Sequence, residues 1–199
     1  EHFSPQTAST DIIFIDKALS ADQVVLYLYV LEDSAESGCL GLKIYSPSQQ
    51  ISLSDALPVL ENMGLRVLSE MFYAIEPYQA QTKLWIHDFR MKPAQQQLSD
   101  IRQLQTNFQE CYIKVWNRAI ENDGFNALVL QAGLDWRQVS MLRAYAKYLR
   151  QAAIPFSQQY MEETLSANPV ITVKLVALFQ SMFDPAAGND QQKSQVLKQ

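Results

Sequence analysis

His87 and Asp88 are neighbours, and an imidazole beside a carboxylate is half of a proton relay. In a strand, however, adjacent side chains leave on opposite faces, so these two diverge. Trp85 and Phe89 share the His87 face, and no nucleophilic Ser or Cys context accompanies it. A packed ring is expected there, and no catalytic residue is assigned. Arg143, Lys147 and Arg150 recur at i, i+4 and i+7, so a helix would place them on one face. Such a face suits an anionic ligand or an acidic partner, although a solvated helix face has the same pattern. Glu121-Asn122-Asp123-Gly124 clusters oxygens but lacks the alternating twelve-residue spacing of a calcium loop. A helix-linking turn built on Asx and Gly chemistry is the expected reading.

Other chemistries are excluded by what is scarce. The chain has 199 residues and six glycines, none in a G-x-G-x-x-G or G-x-x-x-x-G-K-[ST] array. A phosphate-cradling loop needs such glycines to let backbone N–H groups approach. Two cysteines, Cys39 and Cys111, and two histidines are too scattered for a zinc site. The cysteines could pair, but free, partly buried thiols in a reducing compartment are expected. The net charge of −5 argues against a dedicated nucleic-acid binder. No apolar run approaches a membrane span, and no signal peptide is visible. The first residue is Glu1, which fits a piece cut from a longer protein.

The elements that must position these residues divide at Lys92-Pro93. Before it lie β-rich runs. Ser9 or Thr10 caps a short helix over Asp11–Leu19 with Ile12, Ile15 and Leu19 on one face, although Ile-Ile-Phe-Ile fits a strand as well. Val24–Leu31 and Leu40–Tyr45 read as strands, the second with Leu40, Leu42 and Ile44 inward. Glu32–Gly38 is short enough to join them as a hairpin. Ser54 or Asp55 caps a helix with Pro58 in its first turn and Gly64 as its C′ residue. Val67–Ile75 and Lys83–Met91 follow as strands around a turn at Pro77–Gln81. This order is most of a ferredoxin-like α/β sandwich whose opening strand is missing or lies upstream.

After Pro93 the period is helical throughout. Leu98, Ile101, Leu104, Phe108, Cys111 and Val115 make one long stripe. A short helix from Phe125 stops at Gly133. Asp135 caps the next, Ser157 another, and Asn168-Pro169 opens the last, which runs to Phe183. The fold class is therefore α+β: an antiparallel sandwich over residues 1–92, a helical domain over 93–185 and a polar tail over 186–199.

Several blocks resemble the large bacterial NAD-dependent glutamate dehydrogenases. They are LSDALPVLENMGLRVLSE at Leu53–Glu70, IHDFRM at Ile86–Met91, the run from Glu121 to Gln151, Phe156–Tyr160, and LFQSMFDP at Leu178–Pro185. The resemblance implies that 1–92 is an ACT-like regulatory module and that the rest is a helical, non-catalytic region. The parent enzyme would use NAD to oxidise L-glutamate to 2-oxoglutarate and ammonia in the cytoplasm. No residue here matches its catalytic or cofactor motifs, so the segment is expected to be inert and without cofactor or metal. Its expected partners are other domains and subunits of a homo-oligomeric enzyme. The Gly64 turn could also help to hold an amino-acid effector, although a simple helix C-cap explains that glycine.

Overall fold

The computed structural model describes residues 5–31, 38–76, 82–94 and 101–183. The expected turn at 77–81, most of the 32–38 link, Leu98 at the head of the long stripe, and the 186–199 tail lie outside these residues.

Four strands form one antiparallel sheet: β1 (Val25–Val30), β2 (Leu40–Pro47), β3 (Leu65–Ile75) and β4 (Leu84–Pro93). Their spatial order is β1-β2-β4-β3. Alternation sorts the side chains into two faces. Leu26, Leu28, Leu40, Leu42, Ile44, Phe89 and Met91 point one way, into the large core. Val25, Tyr27, Tyr45, Leu84 and Ile86 point the other way, into a smaller cluster.

Two helices cover the first face. In α2 (Leu53–Asn62) Ala56, Val59 and Leu60 are buried, and in α3 (Ile101–Trp116) Leu104, Phe108 and Cys111 are. Taken cyclically as β4-α3-β1-β2-α2-β3, the elements follow the β-α-β-β-α-β order of a ferredoxin-like sandwich. The strand expected to be missing is therefore present. It is β4, which comes late in the chain and lies between β2 and β3.

The helix before β1 is thus not one of the sandwich pair. α1 (Pro5–Ala21) lies on the opposite face, where Ala18 is buried and Phe14, Ile15 and Leu19 pack on the smaller cluster. It starts earlier than expected, and Thr10 sits inside it with its hydroxyl on the Gln6 carbonyl, 3.1 Å away. Ile12, expected inward, is 65% exposed, because Asp11 takes the inward position. Asp11 accepts hydrogen bonds from Lys43 Nζ at 2.8 and 2.9 Å and from the Tyr45 hydroxyl at 2.6 Å. Beside it, the Tyr29 hydroxyl donates to Asp88 at 2.9 Å. Burial pushes the Asp88 carboxyl up against the opposing pull of Tyr29 and Lys43. Tyr29 lies over Gly41, where a Cβ would come within 2.1 Å of the ring carbon that bears its hydroxyl, so a larger residue there would displace the ring that reaches Asp88.

Two local details differ from expectation. Ser52, not Ser54 or Asp55, caps α2 by accepting the Ser54 N–H. The helix thus begins earlier, and Pro58 falls beyond its first turn. Pro93 ends β4 beyond Met91, the last β4 residue paired with β2, so its missing N–H removes no bond on that side.

Beyond α3 a 3-10 turn (Gly124–Ala127) leads into α4 (Leu128–Gln131), α5 (Trp136–Gln151), α6 (Gln158–Ala167) and α7 (Pro169–Phe183). Asp135 and Gln138 form a capping box at the start of α5, and Ser157 caps α6. Phe125, Leu128, Val129, Val139 and Leu142 join the large core, which thus crosses Pro93 without a break.

Replacing Asp11 by Ala should remove the nearer carboxylate of the buried Lys43, leaving Asp88 at 3.9 Å, and cost about 3 kcal/mol in a urea titration. Amide exchange in α1 should accelerate more than in α2. Asp11→Leu combined with Lys43→Met should recover part of the loss, because the buried pair is removed together while Asp88, which loses Lys43 at 3.9 Å, keeps the Tyr29 hydroxyl.

Candidate functional site

The richest polar constellation is the turn from Glu121 to Asn126, where the sheet half meets the helices. Asp123 starts the 3-10 turn by accepting the Phe125 N–H at 3.2 Å. Its carboxylate then takes a fork from Arg143 of α5, with Nε at 2.7 Å and Nη2 at 2.8 Å. The same Nη2 reaches Asn126 Oδ1 at 2.8 Å, and the Asn126 amide donates to the Glu121 carbonyl at 2.9 Å. Arg143 is 2% exposed. A buried guanidinium needs this full set of acceptors, and the planar fork matches a carboxylate as an ammonium cannot.

Three elements converge on the turn. From α5, Lys147 pairs with Glu121 and holds that carboxyl below its ordinary range. From α6, Gln158 donates to Asp123 at 3.3 Å and to Glu162 at 2.8 Å. Burial raises the Glu162 carboxyl, which lies against Gly124 so closely that a Cβ there would be 2.6 Å from Oε2. From α2, the Asn62 amide donates to the Asn122 side chain at 3.1 Å and to its carbonyl at 3.3 Å. Two residues on, Gly64 has φ +79° as expected of a C′ residue, and a Cβ there would approach Ala127 to 3.1 Å. The Gly64 turn is therefore packed against the helical half.

The three cations expected on one face all lie on α5 but in different surroundings. Arg143 is buried in the turn, Lys147 pairs at its rim, and Arg150 is exposed one turn further along α5. Periodicity put Arg143 on the right helix but could not show that its face turns inward. The one available signal was the Asp123-Gly124 turn, since an Asx turn at a helix start offers a carboxylate to a neighbour.

His87 and Asp88 diverge as strand geometry requires. Asp88 faces Tyr29 and Lys43, while His87 is buried on the other face between Phe72 and Phe89. Its Nε2 accepts the Ile51 N–H at 3.3 Å, so Nδ1 carries the proton toward Glu70 Oε1 at 2.8 Å. Both ring nitrogens are occupied. Beside the ring, Gln50, Ser52, Glu70 and Phe72 line an open cleft of about 560 Å³. Cys39 and Cys111 are free and buried, and burial pushes the Cys111 thiol up to about 12. Among the described residues, no single helix is long and apolar enough to cross a membrane.

Comparison with known proteins decides the family. Residues 23–104 match the model of the glutamate dehydrogenase ACT3 domain, and residues 120–185 match that of glutamate dehydrogenase helical motif 3. The NAD-specific glutamate dehydrogenase of Halomonas elongata is 40% identical over 186 residues, 94% of this chain. Those of Pseudomonas aeruginosa and Mycobacterium tuberculosis are 38% and 36% identical, each over 92% of the chain. The chain belongs to the NAD-specific glutamate dehydrogenase family. It spans 11% of the length of each of these relatives. In this glutamate dehydrogenase segment, Asn62 and Gly64 fall in the ACT3 match and Glu121–Asn126 in the helical-motif match. The polar turn is thus a junction between the two. α1 precedes the ACT3 match, in keeping with its place outside the sandwich pair.

Arg143→Ala should strand Asp123 and Asn126 and cost about 3–5 kcal/mol in urea unfolding. Arg143→Lys should recover only part of this, since an ammonium cannot reproduce the fork. Lys147→Ala, at the exposed rim, should cost less than about 1 kcal/mol.

Proposed function

We propose that this chain is a non-catalytic, structural and regulatory segment of a large cytoplasmic NAD-dependent glutamate dehydrogenase. The parent would oxidise L-glutamate to 2-oxoglutarate and ammonia with NAD, which binds elsewhere in it. The observation that carries this reading is the pair of matches, an ACT domain followed by a helical motif, both described as parts of glutamate dehydrogenase. The chemistry agrees. Among the described residues, the buried imidazole of His87 has both nitrogens engaged, and Arg143 is held by the protein's own carboxylate.

In this proposal the segment transmits position rather than chemistry. The division at 92/93 separates the ACT-like part from the helical part along the sequence, but the two share one core. The junction at Asp123 couples α2 of the sandwich to α5 and α6, so a displacement of one part is carried to the other. Other domains and subunits of the same enzyme are its partners.

The chain incubated with L-glutamate and NAD should form no NADH above the blank at 340 nm. Glutamate-dependent turnover would overturn the reading.

One observation favours a second reading, amino-acid sensing. The cleft at His87 is of ligand size and mixes polar and apolar lining. If it binds an amino acid, the melting temperature should rise with ligand as RT ln(1 + [L]/Kd), about 2.7 kcal/mol at a hundredfold excess over Kd. Glu70→Gln should weaken that response. A flat response to the common amino acids at millimolar concentration would remove this reading and leave the first intact.

A further inference from the structure

α7 is far more apolar than its surroundings require. It holds fifteen residues, PVITVKLVALFQSMF, with Lys174 its single charge, yet only Thr172 and Val176 are buried. A helix that is apolar all round is normally enclosed. Here Val170 is 70% exposed, Ile171 57% and Phe183 58%.

The exposure is organised. An open groove of about 600 Å³ runs between α5 and α7 beside α6. Met141, Tyr145 and Leu149 of α5 line one side at spacings of four, and Leu175, Phe179 and Met182 of α7 line the other at four and three. These are two helical ridges with a trough between them. Tyr145 and Phe179 meet edge to face at 5.7 Å, a direct contact between the two ridges. The Thr164 hydroxyl in the lining is already spent on the Tyr160 carbonyl at 2.6 Å. Among the described residues no charged side chain lines the groove, so a charged ligand would lose its hydration there without compensation from them.

We infer that this groove is the seat of an amphipathic helix supplied by another region of the same polypeptide. The inference rests on the glutamate dehydrogenase reading. Two ridges at helical spacing accept a third ridge, and its buried stripe must be uncharged. Residues 186–199 of this chain cannot supply it, because their sequence, AAGNDQQKSQVLKQ, carries no apolar stripe. The relatives supply the length: the aligned stretch is 11% of each, so most of their chain lies outside it. A helix tethered in the same chain also meets the groove as an intramolecular partner, without the association entropy that a second copy must lose.

The test uses the full natural polypeptide that contains this segment. Photoreactive benzoylphenylalanine replaces Tyr160 or Phe183, both exposed at the groove. The protein is made as a mixture of light and heavy isotopic forms. The expected product is a link within one polypeptide, light to light or heavy to heavy, to a peptide outside these 199 residues that has helical apolar periodicity. The same probe at Glu163, outside the groove, should give about tenfold less product, since the reaction needs contact. Links joining light to heavy forms would assign the groove to a second copy and overturn the inference. Absence of any link, or a reading frame that holds no further chain, would overturn it as well. NADH formation by the same preparation separates the two failures: turnover without the link removes only the groove assignment.

Discussion

A sheet has two faces, and in β2 every residue from Leu40 to Pro47 is buried. That double burial is the constraint from which the rest of the architecture follows. One face takes α2 and α3 and becomes the large core. The other takes α1, a single helix whose Phe14, Ile15 and Leu19 pack on the smaller cluster. Within that face Asp11 and Lys43 form a buried charge pair. Such a pair adds little net stability compared with two apolar residues. It does fix α1 in one register, because sliding the helix by a residue would carry Asp11 away from both Lys43 and the Tyr45 hydroxyl.

The junction at Glu121–Asn126 solves a different problem with the same means. Two parts of unlike architecture have to share a core without slipping. Packing alone tolerates small rotations, whereas a forked guanidinium does not. Arg143 ties α5 to the turn, Gln158 ties α6, and Asn62 ties the end of α2. The mechanical reference point of the segment is therefore a polar knot beside the core.

Much of this was legible in the residues. Alternation in Leu40–Ile44, the Asp135 and Ser157 caps, the Asn168-Pro169 helix start and the Gly64 stop are local features, and local energies decide them. Other features were not legible because their causes are distant in sequence. Asp11 lies inward because Lys43, thirty-two residues on, needs a carboxylate, so apolar periodicity alone put Ile12 there instead. Arg143 reads as one of a row of surface cations until Asp123 is seen to face it. The sandwich looked incomplete because strand order along the chain was taken for strand order in space. The Lys92-Pro93 seam marks a strand end correctly, but a strand end need not be a core boundary.

The cyclic order of the sandwich has a consequence for how the chain comes together. β2 and β3 are not neighbours; each pairs with β4, which is the last strand to leave the ribosome. Until residue 93 has emerged, β3 has no partner and β2 has only β1. The early chain therefore holds a hairpin and a separate apolar strand, with their long-range pairings still to be made. Assembly of the sheet is gated by synthesis of its centre, and α3, which caps that centre, follows immediately. The vulnerable interval for a nascent chain of this kind is the one between Ile75 and Pro93, when an unpaired edge is exposed and its natural cover is not yet made.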